Sequence, residues 1–141
     1  MATLEQAIIF ATQKHAGQVD KAGQPYILHP LRVMLNMHTL EQKIVAVLHD
    51  VLEDSDATAT DLIALGFSNQ IIHAIETLTR KTDESRIDAA HRACKNQLAC
   101  AVKLADVTDN MNLKRIPTPT ERDYSRLKEY QQVQKILLQQ F

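Results

Sequence analysis

Apolar residues recur at helical spacing along most of the chain, and strand-like alternation is scarce. In "TLEQAIIFATQKHA", Leu4, Ile8 and Ala11 share a face, and Thr3 with Gln6 forms a capping-box pattern that predicts a helix start. Gly17, Gly23 and Pro25 predict a loop over residues 17–28, and Pro30 suits the first turn of a second helix beginning at His29-Pro30. A third helix is predicted over roughly 41–53, with Ile44, Val45, Leu48 and Leu52 on its apolar side. Shorter helices follow near 59–65, 68–80 and 84–95. The segment "QLACAVKLADVTDNMN", residues 97–112, reads as a buried helix interrupted by Lys103, Asp106 and Asp109. Pro117 and Pro119 then precede a long, polar-rich amphipathic helix. No repeat, low-complexity tract or linker divides the 141 residues, a length that suits one hydrophobic core. The pattern predicts an all-α, compact single-domain bundle of about seven to eight helices over residues 1–141.

Composition narrows the partners. The net charge is −1, so no global basic field favours nonspecific nucleic-acid binding, and an anionic partner has to be held locally. Cys94 and Cys100 form no CxxC pair and are expected to be free thiols in a reducing cytoplasm. The N-terminus lacks a basic region, and "AIIFA" is too short for a signal peptide or membrane span, so a cytoplasmic location away from membranes is expected.

Candidate chemistry comes from polar residues inside apolar helices. "VLHDVLED" interrupts a core-like run with His49-Asp50 and Glu53-Asp54. Buried carboxylates and imidazoles come paired or metal-bound, because burying them alone costs several kcal/mol. On one continuous helix, His49 would stack on Glu53 and Asp50 on Asp54, while Asp106 and Asn110 repeat the spacing elsewhere. Together, His29, His49, Asp50 and Asp106 would form a mixed N/O set suited to Mn²⁺, Fe²⁺, Co²⁺ or Zn²⁺. Taken singly, each has a plainer reading: a His-Asp dipeptide is often a hydrogen-bonded pair, and Lys103 could snorkel. His15 reads as a cation in the last turn of the first helix, and His38, His73 and His91 as surface residues.

The motifs "PYILHP", "LHDVLEDSDAT", "ETLT" and "VKLADVTDNM", in that order, resemble the HD-domain metallohydrolases. More narrowly, they are similar to the hydrolase domain of the RelA/SpoT alarmone enzymes and to the stand-alone small alarmone hydrolases. The resemblance covers about residues 4–130 and implies an HD-type helical bundle. It further implies one metal, usually Mn²⁺, on His29, His49, Asp50 and Asp106, with Glu53 and Asp54 handling the attacking water. The implied reaction is hydrolysis of the 3′-pyrophosphate of guanosine tetra- or pentaphosphate, a small-molecule nucleotide. Asn110 would contact substrate, Lys21 and Tyr26 would flank the nucleotide, and Lys103 and Arg126 are further candidate contacts. No oligomeric state is implied.

Charge adds two features. An anion approaching Asp50, Glu53, Asp54 and Asp56 would be repelled unless a cation screened them. Basic residues collect over 80–95, five against three acidic, and over 114–135, six against three, where they could grip phosphates or form solvated helix faces. The chain departs from the family at two places. Asp20 stands where an arginine is usual, and Val107-Thr108-Asp109 replaces a segment usually carrying a basic and an aromatic or imidazole residue. Both departures bear on substrate recognition, so an HD phosphohydrolase for another nucleotide or phosphorylated metabolite stays open, as does a non-catalytic nucleotide- or partner-binding HD domain. With the chain ending at Phe141, degradation without synthesis is the expected activity on alarmones.

Overall fold

The computed structural model describes residues 2–141. Nine α-helical segments run through them: α1 (Leu4–His15), α2 (Leu28–Leu35), α3 (Leu40–Leu48), α4 (Val51–Asp54), α5 (Ala59–Ala64), α6 (Asn69–Leu78), α7 (Arg86–Ala93), α8 (Gln97–Asn110) and α9 (Glu121–Leu138). The Thr3 hydroxyl accepts from the Gln6 N–H at 3.2 Å, while Gln6 Oε1 accepts from the Thr3 N–H at 2.8 Å. The same reciprocal cap opens α3 at Thr39, α5 at Thr58 and α9 at Thr120. An N-cap of this kind contributes about 1 kcal/mol, so the starts are locally encoded.

Packing decides the rest. Ile44 to Leu48 are all buried, because α3 is wrapped by α1, α2, α6 and α8. Fully burying one such side chain contributes about 1.5–3 kcal/mol, which makes α3 the best-anchored element and fixes where its C-terminus points. The α8 helix is buried on two sides. Ala99 and Val102 join the main core, while Cys100 and Val107 pack in a smaller cluster with Ala90 and Ala93 of α7 and Val133 and Leu137 of α9. Its run "LACAV" therefore lacks one polar face. Cys94 and Cys100 are free thiols. No helix among the described residues is long and apolar enough to cross a membrane.

The loop before α2 is ordered by its own backbone. Gly17 and Gly23 adopt φ of +84° and +80°, a region that favours glycine. Between them the Asp20 N–H donates to Gln24 O and the Tyr26 N–H to Gln18 O, each at 2.9 Å. Asp20 Oδ1 also accepts from the N–H groups of Ala22 and Gln24, at 2.8 and 3.0 Å. The hairpin-like turn delivers Tyr26 and His29 to the interior.

Three expectations are corrected. The helix predicted over 41–53 is broken at His49-Asp50, so His49/Glu53 and Asp50/Asp54 are not pairs on one continuous helix. At the break the Ala46 carbonyl accepts from the His49 N–H at 3.4 Å and meets His49 Nδ1 at 2.5 Å, in place of a regular α-helical turn. His15 is not a solvated cation: it is 1% exposed, and burial pulls its pKa below the usual histidine value. Asp56 lies away from the other carboxylates, with an 88% exposed side chain paired to Lys14 at 2.9 Å.

Candidate metal centre

Two buried histidines meet two carboxylates where α2, the α3–α4 break and α8 converge. The α2 helix supplies His29, the break supplies His49 and Asp50, and α8 supplies Asp106. His29 Nε2 lies 2.9 Å from Asp106 Oδ1 and 3.7 Å from Asp50 Oδ2. His49 Nε2 lies 3.1 Å from Asp50 Oδ2 and 3.3 Å from Asp106 Oδ1. Neither His49 contact is aligned as a hydrogen bond, which leaves a buried ring nitrogen unpartnered. Donors sharing one divalent cation at about 2.0–2.2 Å stand roughly 3–3.6 Å from their neighbours, and these four contacts span that range. The orphaned nitrogen and the thiolate-free donor set fit a divalent cation of the Mn²⁺, Fe²⁺, Co²⁺ or Zn²⁺ type.

The HD domain family matches residues 7–133, a span that holds all four of these residues. The chain belongs to the HD-domain family. It is 40% identical over 81 residues to a guanosine-3′,5′-bis(diphosphate) 3′-pyrophosphohydrolase of Aquifex aeolicus, which covers 55% of this chain and 12% of that protein. A protein of the same name from Vibrio cholerae is 35% identical over 122 residues, covering 77% of this chain and 17% of its relative. A GTP pyrophosphokinase of Myxococcus xanthus is 31% identical over 126 residues, with 77% and 16% covered. The chain thus spans less than a fifth of these relatives. Among solved structures, a metazoan ortholog of SpoT that hydrolyses ppGpp matches with a TM-score of 0.76 over 99% of this chain and 85% of its own. At 24% identity that likeness is one of fold.

Around the HD pair, the other predicted site residues divide into two groups. Tyr26, Lys103 and Asn110 touch the centre itself. The Tyr26 hydroxyl donates to Asp50 Oδ2 at 2.5 Å, Lys103 Nζ lies 3.0 Å from Asp106 Oδ2, and Asn110 Nδ2 donates to Asp106 Oδ1 at 3.2 Å. Lys103 is therefore held inward and does not snorkel. Glu53 and Asp54 line the same cavity, of about 160 Å³, with Arg80 and Arg86 also on its wall. Glu53 Oε1 accepts from the Arg80 N–H at 2.8 Å, which steadies it at the rim. Lys21 and Arg126 are not brought to this cavity. They line a neighbouring one of about 400 Å³, and Lys21 Nζ lies 3.8 Å from Asp123 Oδ1.

The centre's charges lean on one another. Burial opposes ionisation of Asp106, but the Lys103 and His49 charges outweigh it and hold its carboxyl well below the usual range. Burial likewise opposes protonation of His29, and its bonds to Asp106 and Asp109 reverse the balance and raise it. Asp54 faces the acidic group from the rim, and desolvation with repulsion by Asp50 and Glu53 pushes it up to about 6.

Sequence reasoning missed three contributors. Tyr130, from α9, joins Arg86 in lining both cavities, and Arg86 sits 5.3 Å from its ring centroid. Arg115 lies between Asp20 and Asp109, at 3.5 and 3.7 Å. Asp109 contacts His29, a pairing 80 residues apart that no local spacing reveals.

Proposed function

We propose that this HD domain is a metal-dependent pyrophosphohydrolase that removes the 3′-pyrophosphate of guanosine tetra- or pentaphosphate, yielding GDP or GTP and pyrophosphate. The observation that carries the reading is the convergence of His29, His49, Asp50 and Asp106 beside a cavity lined by both carboxylates and cations. The names of the Aquifex and Vibrio relatives, and the ppGpp hydrolysis of the metazoan ortholog, support this substrate. The four residues would hold one divalent cation, Mn²⁺ first, with Fe²⁺, Co²⁺ or Zn²⁺ as alternatives. Such a cation, when bound, would supply Lewis acidity at a phosphoryl oxygen and lower the pKa of water.

The chain's own residues would do the rest. Asp54, on the cavity wall, can accept a proton from water, and Glu53 beside it can orient that water. Tyr26 keeps Asp50 in place, while Lys103 and Asn110 do the same for Asp106 and face the cavity where phosphate would lie. Tyr26, His29, Arg86, Asn110 and Tyr130 border both cavities, so a nucleotide spanning them would run alongside these side chains. Lys21 and Arg126 would then meet its far end. Asp20 and Asp109, the two departures from the family pattern, do not count against an anionic substrate as free negative charges would. Asp20 is tied to backbone N–H groups and Arg115, and Asp109 to His29, Arg32 and Arg115.

The substrate is tested by incubating the Mn²⁺-loaded protein with guanosine tetraphosphate and with a panel of other nucleotides and sugar phosphates. GDP and pyrophosphate in equal amounts, formed fastest from guanosine tetraphosphate, are expected. Turnover confined to another phosphate ester would overturn the alarmone reading while keeping the phosphohydrolase.

A further inference from the structure

The two histidines of the centre reach it in the same way. Each presents Nε2 to Asp50 and Asp106, and each has Nδ1 against an acceptor on its other side. For His49 the acceptor is the Ala46 carbonyl, at 2.5 Å. For His29 it is a side chain, Asp109 Oδ2, at 2.6 Å. Asp109 is itself clamped. Arg32, three residues after His29 on α2, donates from Nε to Oδ1 at 2.8 Å and from Nη2 to Oδ2 at 3.1 Å. Arg115 adds a bond from Nη2 to the Asp109 carbonyl at 3.2 Å and is held from behind by Asp20. The carboxylate has little freedom and is 9% exposed.

We propose that Asp109 is a positioning residue of the metal centre, fixing His29 as the tautomer protonated on Nδ1 so that Nε2 is free for the cation. An imidazole without such an acceptor can turn its ring or place its proton on Nε2, and either change removes a ligand. The carboxylate also neutralises guanidinium charge that would otherwise stand against a bound cation. The departure that reads in sequence as an obstacle to substrate thus belongs to the metal's support. The pairing of Asp20 with Arg115 steadies that support from the loop.

The proposal rests on the metal reading and is tested apart from catalysis. Metal-stripped protein is titrated with Mn²⁺ and Zn²⁺ against a chelating indicator, for wild type, Asp109→Asn, Asp109→Ala and Arg32→Gln. Thermal melts of the stripped proteins identify folded variants, and the near-isosteric Asp109→Asn serves if Asp109→Ala does not fold. The dissociation constant is expected to rise roughly 10–100-fold in Asp109→Ala. A smaller rise is expected in Asp109→Asn, whose amide oxygen still accepts, and the smallest in Arg32→Gln. Imidazole ¹⁵N spectra of the Zn²⁺-loaded wild type should show the His29 proton on Nδ1. An Asp109→Ala affinity within about threefold of wild type, an Asp109→Asn affinity equal to wild type where Asp109→Ala does not fold, or a proton on Nε2, would overturn the proposal. Absence of cation binding by wild type itself would sink the metal reading and this inference with it, a result distinct from the former.

Discussion

Asp50 is drawn from three sides, by the Tyr26 hydroxyl at 2.5 Å, His49 Nε2 at 3.1 Å and His29 Nε2 at 3.7 Å. Of these the tyrosine can be edited most cleanly. Its ring packs between His15 and His29, with centroids 5.0 and 5.8 Å away, and Tyr26→Phe keeps that packing while deleting the hydroxyl. A hydrogen bond to a charged acceptor contributes about 1.5–3 kcal/mol to stability, so Tyr26→Phe should melt several degrees lower, and kcat/KM for pyrophosphate release should fall as Asp50 loses that anchor. Kinetics equal to wild type would mean that Asp50 is held without Tyr26. His49, Asp50 and Asp106 stand out in the sequence because a histidine or carboxylate inside an apolar run is conspicuous, and His29 through the motif "PYILHP". Their supporting contacts do not. Asp109 reads in sequence as a departure that bears on substrate recognition, and only the approach of α2 to α8 sets it against His29.

At the scale of elements, helix starts were legible and helix interiors less so. Thr3 with Gln6 announced α1 because a cap is made from residues three apart. The break at His49-Asp50 was hidden, since "VAVLHDVLED" has an unbroken helical apolar pattern, and the contact of His49 Nδ1 with the Ala46 carbonyl that marks the interruption leaves no trace in that pattern. The junction of α6 and α7 was hidden likewise. Arg92 donates to Thr77 O and Thr79 O at 2.9 and 3.0 Å, closing the end of α6, and forks onto Glu84 at 2.8 and 2.7 Å. The bond to Arg92, reinforced by the Lys81 N–H, holds the Glu84 carboxyl down to about 2, below its ordinary 4.5. A depressed carboxyl stabilises the fold above the unfolded pKa and loses that contribution as pH falls through the folded one. The latch is therefore present at neutral pH and disappears between about pH 4.5 and 2. Glu84→Gln should melt a few degrees below wild type at pH 7, and the two curves should meet as pH approaches 2. A gap that stays constant across that window would show that Glu84 stabilises through something other than its charge.

The whole molecule explains why a charged centre can be kept inside a small helical bundle. Its main core immobilises α3 and hence His49-Asp50, the smaller cluster ties α8 to α7 and α9, and α8 carries Asp106 between the two. The all-α class was legible from periodicity alone, because most helices bury one stripe. The two-sided burial of α8 was not, since it depends on which neighbours the chain brings to each face. The site's second cavity, lined from the loop before α2, the segment after α8 and α9, likewise arises only when stretches far apart in sequence are packed together.

If a cation held by the HD cluster and water handled by Glu53 and Asp54 together hydrolyse guanosine tetraphosphate, both parts of the site are needed for turnover. The most direct test is the release of pyrophosphate by Mn²⁺-loaded protein, compared among wild type, Asp50→Ala and Glu53→Ala with bound metal measured on the same samples. Wild type should turn over. Asp50→Ala should lose both bound metal and turnover, and Glu53→Ala, without the group that orients the water, should keep its metal while kcat falls. Undiminished turnover in Asp50→Ala, or in Glu53→Ala, would contradict the assignment of this site as the seat of the reaction.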